Sequence, residues 1–501
     1  MEWARIRSRT DHEGTSGSAA MAVPRLATTG SRKDQQQRRR PDLLLVGGIV
    51  GFTLSLGAYV LIKYVVRQAN ESPGDLEVYR QAGLVVRHAA HWYDPTLSSP
   101  LYDWPKYQLP FTYTPFAALV FTVLTLSALH VAANLWIAAS LVALVVALWA
   151  TFGGLGYRAG ARLGGALLIA AVMLWIEPVL QALSLGQIEL MLMALVIWDM
   201  CQPDRRWWKG AGIGIAAGIK LAPLIFIPYL LLTRRFRAAA VAAGTFVATV
   251  VLGYFVLPAD SRQFWLGGVF MQSGRPGFPG EMQNQALGGL ITRLAGSVAA
   301  GHWIWLPVAV IIGLLGLAIA TVLHRAGHEV LGVLTCALTG LLVSPITWDH
   351  HWVWIVPAVA VLAVYGSRAC GAARWTYLGS AAAIVVVFGA WPHGVVRRVA
   401  VSLWGQPPQS EGYYGFIFAP PFTTTGTYLR LGDQGWYAEY HWHGLELVVG
   451  NLYVLAGLTM FVLLAAAALA VTLKAASGLG DAARMRRRPL QHTPRHSYRD
   501  G

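Results

Sequence analysis

Apolar runs long enough to cross a bilayer recur along the chain, divided by short polar stretches. The clearest cover residues 43–66, 131–150, 238–257, 303–323 and 447–473. Each approaches or exceeds the roughly 20 helical residues that span about 30 Å of hydrocarbon. About twelve such blocks can be counted. None alternates polar and apolar residues as a membrane β-barrel would, so the pattern predicts an all-α polytopic bundle of ten to thirteen transmembrane helices over 41–473. Residues 1–40 and 474–501 read as basic cytoplasmic tails, the first low in aromatics and expected to be disordered.

The polar stretches carry a second pattern. Between 67 and 110, Leu76, Tyr79, Gly83, Val86 and Ala90 recur at helical spacing, opposite Glu77, Arg80, Arg87 and His91. This predicts an amphipathic helix lying on the membrane surface. Two more long polar loops fall at 258–301 and 392–445.

Charge orients the bundle. The chain carries a net +15, yet only 13% of its residues are charged, about half the share of a soluble domain. With a mean hydropathy of +0.49, that excludes an ordinary globular protein. Basic residues crowd the two ends and the short loops at Arg205-Arg206 and Arg234-Arg235. This is the positive-inside pattern, and it argues against a nucleic-acid partner. Both ends then lie inside, and loops 67–110, 258–301 and 392–445 lie outside. Three cysteines make no disulfide framework. The first half threads less cleanly: loops 201–209 and 233–237 both read as cytoplasmic with one apolar block between them, and five blocks fall between 43 and 200 where an even number of crossings is needed. One or two segments must therefore enter without spanning, which is possible where they line a protein cavity.

Polar groups in or beside hydrocarbon require a reason. On the outer side lie Asp75 and Glu77, Glu177, Gln187 and Glu189, Asn284 and Arg293, and the run Ser344 to Trp352 that contains Asp349, His350 and His351. Each also has a plain structural explanation. Asp75 suits a helix N-cap, and Glu177 and Glu189 suit buried polar partners. Adjacent histidines point to different sides of a helix, which disfavours zinc. Lys220, in an apolar block with Pro223, can either snorkel to the inner surface or hold a lipid phosphate.

The ordered set Asp75-x-x-x-Tyr79 with Phe111-x-Tyr113-x-Pro115, Gly186-Gln187, Lys220-x-x-Pro223, Asn284-Gln285 with Arg293, and Ser344-Pro345 to His350-His351 resembles the GT-C glycosyltransferases. The closest likeness is to the family 87 mannosyltransferases of actinobacteria. The resemblance implies a polyprenyl-phosphate sugar donor, a glycolipid acceptor of phosphatidylinositol mannoside or lipomannan type, and an active site on the extracytoplasmic side of the plasma membrane. It also implies Asp75 as general base, with Glu77 forming a D-x-E variant of the usual acidic pair.

The chemistry asks for the same groups. An attacking hydroxyl needs a carboxylate to take its proton, and an oxocarbenium-like sugar is favoured by ring hydrogen bonds and nearby carboxylates. A single displacement on a β-linked donor gives an α product. A leaving monophosphate can be held by His350, His351, Arg293 or Lys106 without Mg²⁺, so no metal or cofactor is expected. Tyr79, Tyr113, Glu177, Gln187, Asn284 and Asp349 are candidate substrate contacts, with Gln187 and Asn284 suited to sugar hydroxyls. An arabinofuranosyltransferase and a lipid or solute transporter stand as alternatives, although no internal repeat of broken helices supports transport.

Overall fold

The computed structural model describes residues 41–66, 74–88, 101–102, 110–272, 275, 277–389, 440 and 444–486. Among them the elements are helical, joined by isolated bridges only. In chain order the helices begin with α1 (Pro41–Leu61), α2 (Gly74–His88), α3 (Pro115–Phe121), α4 (Leu129–Gly154) and α5 (Ala159–Met173). There follow α6 (Glu177–Leu185), α7 (Glu189–Met200), α8 (Ala211–Ile219), α9 (Phe226–Leu232) and α10 (Phe236–Val256). The second half holds α11 (Pro258–Trp265), α12 (Leu287–Ala295), α13 (Val298–Arg325), α14 (Glu329–Val343), α15 (Ile355–Arg368), α16 (Gly371–Phe388), α17 (Leu445–Val449) and α18 (Leu452–Arg486). Seven described helices are long and apolar enough to cross a membrane, or eight if the bent α6–α7 pair is one span. Four further apolar segments are shorter: Pro115–Thr125, Ala159–Met173, Ala222–Leu232 and Glu329–Val343. The bundle is thus all-α and polytopic, and several of its apolar blocks are shorter or more broken than the pattern suggested.

Side-chain contacts sort the connections to two ends of the bundle. At one end Asp204 Oδ1 lies 3.5 Å from Arg235 Nε and 2.7 Å from Lys209 Nζ. Arg235 Nη1 donates to Glu329 Oε1 at 2.6 Å. Arg325 donates to the Leu232 carbonyl at 3.2 Å, and Arg368 to that of Leu155 at 3.0 Å. These loops form the basic end. The opposite end gathers Asp75, Gln187, Glu189, Lys220 and 344–351 around a cavity.

The threading conflict now has a physical answer. Loops 201–210 and 233–237 touch each other, so α8 and α9 are the two arms of a re-entrant hairpin whose base is at the basic end. The break falls at Lys220, whose backbone is extended (φ −138°, ψ 131°). Pro223, in the first turn of a short 3-10 helix over Ala222–Ile225, has no N–H to continue α8. Polar backbone freed by such a break is tolerated because it faces protein or cavity, not lipid. The hairpin packs closely on α10: a Cβ at Gly214 would stand 2.5 Å from the Ala242 carbonyl oxygen and 2.6 Å from Thr245 Cβ. One of the five early blocks, α3, is too short to cross. Its N-cap Thr114 holds the Gly218 carbonyl near the hairpin tip, and the turn after it reaches Arg87. That leaves α1, α4, α5 and the α6–α7 pair running between the two ends, an even number.

The amphipathic helix is present as α2, but its apolar face meets protein rather than lipid. Leu76, Tyr79, Ala82 and Gly83 are buried, with Tyr79 stacked on Phe121 at 4.2 Å between ring centroids. The basic face is docked as well. Arg80 donates to the Leu124 and Ser127 carbonyls at 3.2 and 3.3 Å, and Arg87 to that of Thr125 at 2.8 Å. Ala90 and His91 lie outside the described residues. So do the two tails apart from the helical ends that reach into 474–486, and most of loop 392–445.

Overpacking a close helix contact costs about 2 kcal/mol. Gly214→Val is therefore expected to lower the melting temperature of the detergent-solubilised protein. Gly244→Ala, on the face of α10 where a Cβ meets nothing within 4 Å, should not. Equal melting temperatures for the two variants would refute the hairpin packing described here.

Candidate active site

Between α2, the α6–α7 bend, the hairpin tip and the turn after α14 lies a cavity of about 920 Å³. Asp75, Tyr79, Tyr113, Gln187, Glu189, Lys220, Asp349, His350 and His351 all line it.

One wall is a hydrogen-bonded chain. Asp75 sits in the first turn of α2, where a carboxylate interacts favourably with the helix dipole. Gln187 follows Gly186, which ends α6 in the left-handed region (φ 71°), and the bend between α6 and α7 is 117°. That bend delivers Gln187 Nε2 to Asp75 Oδ2 at 2.5 Å. The Gln187 Oε1 accepts from Tyr79 at 2.6 Å and from Tyr113 at 3.1 Å, and the two phenol oxygens are 2.5 Å apart. Burial pushes the Asp75 carboxyl above the usual carboxylate range, with Glu189 adding to the effect. The positive charges of His350 and Lys220 and the Gln187 hydrogen bond offset only part of it. Burial holds both phenols well above their ordinary range, so they stay protonated.

The facing wall is a cluster of donors. Lys220 Nζ is ion-paired with Glu189 Oε1, the two side chains 25% and 7% exposed. It also lies 2.9 Å from His351 Nε2 and 5.3 Å from the centre of the Tyr113 ring. His351 Nδ1 accepts the Trp348 N–H at 3.2 Å, which leaves Nε2 as the protonated nitrogen. Lys220 and His351 therefore converge as two donors, with Glu189 Oε1 as their common acceptor (3.4 Å from His351 Nε2). His350 Nδ1 is 3.1 Å from Asp349 Oδ1, while its buried Nε2 has no partner among the described residues. A buried ring nitrogen without a protein partner, on the wall of a cavity, is a group for a ligand to satisfy.

Glu189, His350 and His351 bring their ligand atoms within 4.8 Å of one another. A metal ion there would compete with the Lys220 ammonium already bonded to Glu189.

Several candidates from the sequence lie elsewhere. Glu77 is exposed on the far face of α2 and does not line the cavity. Glu177 is buried beside Tyr453, whose hydroxyl donates to it. Asn284 and Arg293 are not sugar or phosphate contacts in this geometry but clamps on the chain. Asn284 accepts the Thr347 N–H at 3.0 Å and donates to the Pro279 carbonyl at 2.8 Å. Arg293 is spent on Asn451 Oδ1 and on the carbonyls of Glu281 and Asn284. Lys106 lies outside the described residues. The adjacent histidines do not diverge: a 3-10 turn over Asp349–Trp354 sets their rings 4.7 Å apart at 89°. Lys220 does not snorkel; it points at Glu189 and the cavity. The Lys220–Glu189 pair is the feature sequence reasoning passed over. Its signal was a lone lysine three residues before a proline in an apolar block.

An all-helical membrane bundle with a raised carboxyl facing a lysine–histidine cluster across one cavity defines an integral membrane protein built around a polar, anion-suited site. Comparison with known proteins narrows the class. Residues 111–345 match glycosyltransferase family 87. A polyprenol-phosphate-mannose-dependent alpha-(1-2)-phosphatidylinositol mannoside mannosyltransferase of Mycobacterium tuberculosis is 34% identical over 203 residues, covering 40% of this chain and 47% of that relative. The chain thus spans about half the length of that protein. A polyprenol-phosphate-mannose-dependent alpha-(1-2)-phosphatidylinositol pentamannoside mannosyltransferase of the same species is 32% identical over 353 residues, covering 70% of this chain and 80% of the relative. No solved structure matches the chain. The protein belongs to glycosyltransferase family 87.

Removing one partner of a buried ion pair costs about 3 kcal/mol or more, because the other charge is left unpaired. Lys220→Met is expected to lower the melting temperature, and adding Glu189→Gln to restore part of the loss. Strict additivity of the two changes would show that the pair is not coupled.

Proposed function

We propose that the protein transfers mannose from a polyprenyl-phosphate-mannose donor to a glycolipid acceptor of phosphatidylinositol mannoside or lipomannan type. The observation that carries this reading is the single cavity shared by Asp75 and the Lys220, His350, His351 cluster. A sugar phosphate bridging the two walls has its anomeric carbon between a proton acceptor and a phosphate site. The names of the related mycobacterial enzymes support the donor and the acceptor class.

In the proposed reaction the acceptor hydroxyl attacks the anomeric carbon and Asp75 takes its proton. The bond from that carbon to the phosphate oxygen breaks as the new glycosidic bond forms. Lys220, His351 and the unpaired His350 Nε2 receive the charge that grows on the leaving phosphate. One displacement inverts the anomeric centre. A carboxyl raised by burial is a better proton acceptor than an exposed one, provided it is ionised. The phenols of Tyr79 and Tyr113 hold Gln187, and Gln187 holds the base. The arrangement of basic loops at the opposite end of the bundle supports an extracytoplasmic cavity under the positive-inside rule.

The direct test is radiolabelled transfer by the purified protein from polyprenyl-phosphate-mannose and, in parallel, from the arabinofuranose donor. Transfer from the second alone would replace mannose with arabinose. Asp75→Asn should lower kcat at least about a hundredfold while the melting temperature holds; full activity with an intact fold would sink the mechanism. The pH profile supplies an independent check. Because Asp75 must be ionised and its carboxyl lies above the ordinary aspartate value of 3.8, kcat/KM should fall on the acid side at a pH above that of an exposed aspartate. Gln187→Leu removes a donor to the ionised form, so it should move this limb to still higher pH. A limb that does not move would remove Gln187 from control of the base.

A further inference from the structure

The cavity continues past its polar cluster. Immediately after Lys220 the hairpin turns apolar, and Leu221, Ala222 and Ile225 border the same space as Ala337, Gly340 and Leu341 of α14. Ala222 is exposed, and Leu221, Ile225 and Gly340 are half-buried, so this arm opens sideways between two apolar segments of the bundle. At Gly340 a Cβ would meet Ile225 alone, at 3.5 Å. A methyl fits there, and a longer side chain would cross the slot.

The closed end of the slot is the Lys220 ammonium, with His351 Nε2 beside it. An apolar channel with an ammonium and an imidazole N–H at its inner end is complementary to a hydrocarbon chain that terminates in a phosphate. A phosphatidylinositol-type acceptor carries its phosphate away from the hydroxyl that reacts, so its acyl chains are not placed here by the reaction. The donor carries its phosphate on the reacting carbon, and its chain begins at that phosphate.

We propose that the slot between the hairpin tip and α14 holds the first isoprene units of the donor lipid, and that Gly340 sets its bore. This rests on the phosphate-linked donor reading above. The site discriminates by chain: a donor long enough to fill the slot gains contacts that a truncated one lacks.

Two variants test this in the full-length protein. Gly340→Leu narrows the slot from within, and Ala222→Trp covers its mouth from an exposed position where no core packing is disturbed. Each is assayed with a long-chain polyprenyl phosphomannose and with an analogue cut to two isoprene units. In both variants the ratio of kcat/KM for the long over the short donor should fall about tenfold. Should Gly340→Leu fail to fold, Ala222→Trp carries the measurement. Separately, a polyprenyl phosphate with a diazirine on its first isoprene unit should label peptides containing 221–225 and 337–341. An unchanged ratio, label confined to other helices, or labelling of the slot by a photoreactive acyl chain of a phosphatidylinositol mannoside in place of the prenyl probe would each overturn the proposal. No transfer from either donor by the unmodified protein would instead defeat the mannosyl-donor reading. The labelling needs no turnover and still reads the slot.

Discussion

The site depends on one ion pair in a place where ion pairs are costly. Lys220 stands at the break of a half-length helix, and its ammonium reaches Glu189 at the start of another. Taking two charges out of water carries a penalty that their attraction offsets only with good geometry and further hydrogen bonds. Tyr113 turns its ring face to the ammonium, 5.3 Å from its centre, and His351 Nε2 lies 3.4 Å from the same Glu189 oxygen. Everything around the pair serves to keep its two backbones in register. Gly214 lets the hairpin lie against α10, Thr114 holds the Gly218 carbonyl, and Arg235 ties the base of the hairpin to Glu329.

The same economy explains polar residues that do not touch the cavity. Asn284 and Arg293 each satisfy several carbonyl or N–H groups of irregular chain between helices. Buried backbone without a regular partner must find side-chain ones. Arg293 reaches Asn451 and so anchors the segment before α12 to the start of the last helix. These residues shape the roof of the site without facing its contents.

Much of this is legible in the sequence. Apolar length alone gave the all-helical bundle, because hydrocarbon leaves the backbone few other choices. The helical period of Leu76, Tyr79 and Gly83 gave α2, although period cannot say whether an apolar face meets lipid or protein. Asp75, Gln187 and the histidine pair were found because polar groups near a membrane are few. What could not be read were directions. Asn284 and Glu177 look like site residues in one dimension, and only packing turns them toward the backbone and toward Tyr453. His350 and His351 were judged by α-helical geometry, whereas a 3-10 turn brings the two rings together. Lys220 stays open between two readings in the sequence, because a snorkelling lysine and a lysine at a helix break share the same local pattern.

The sharp bend at Gly186 has a further effect, carried by the main chain itself. By ending one helix and starting the next beside the cavity, it sets Glu189 in the leading turn of α7, a helix of 12 residues. Unbonded amides at such a terminus amount to about half a positive elementary charge. That field titrates with nothing and follows no side-chain rotamer. Its nearest acceptor is the Glu189 carboxylate in that same turn, so the main chain helps to offset the cost of burying the partner of Lys220.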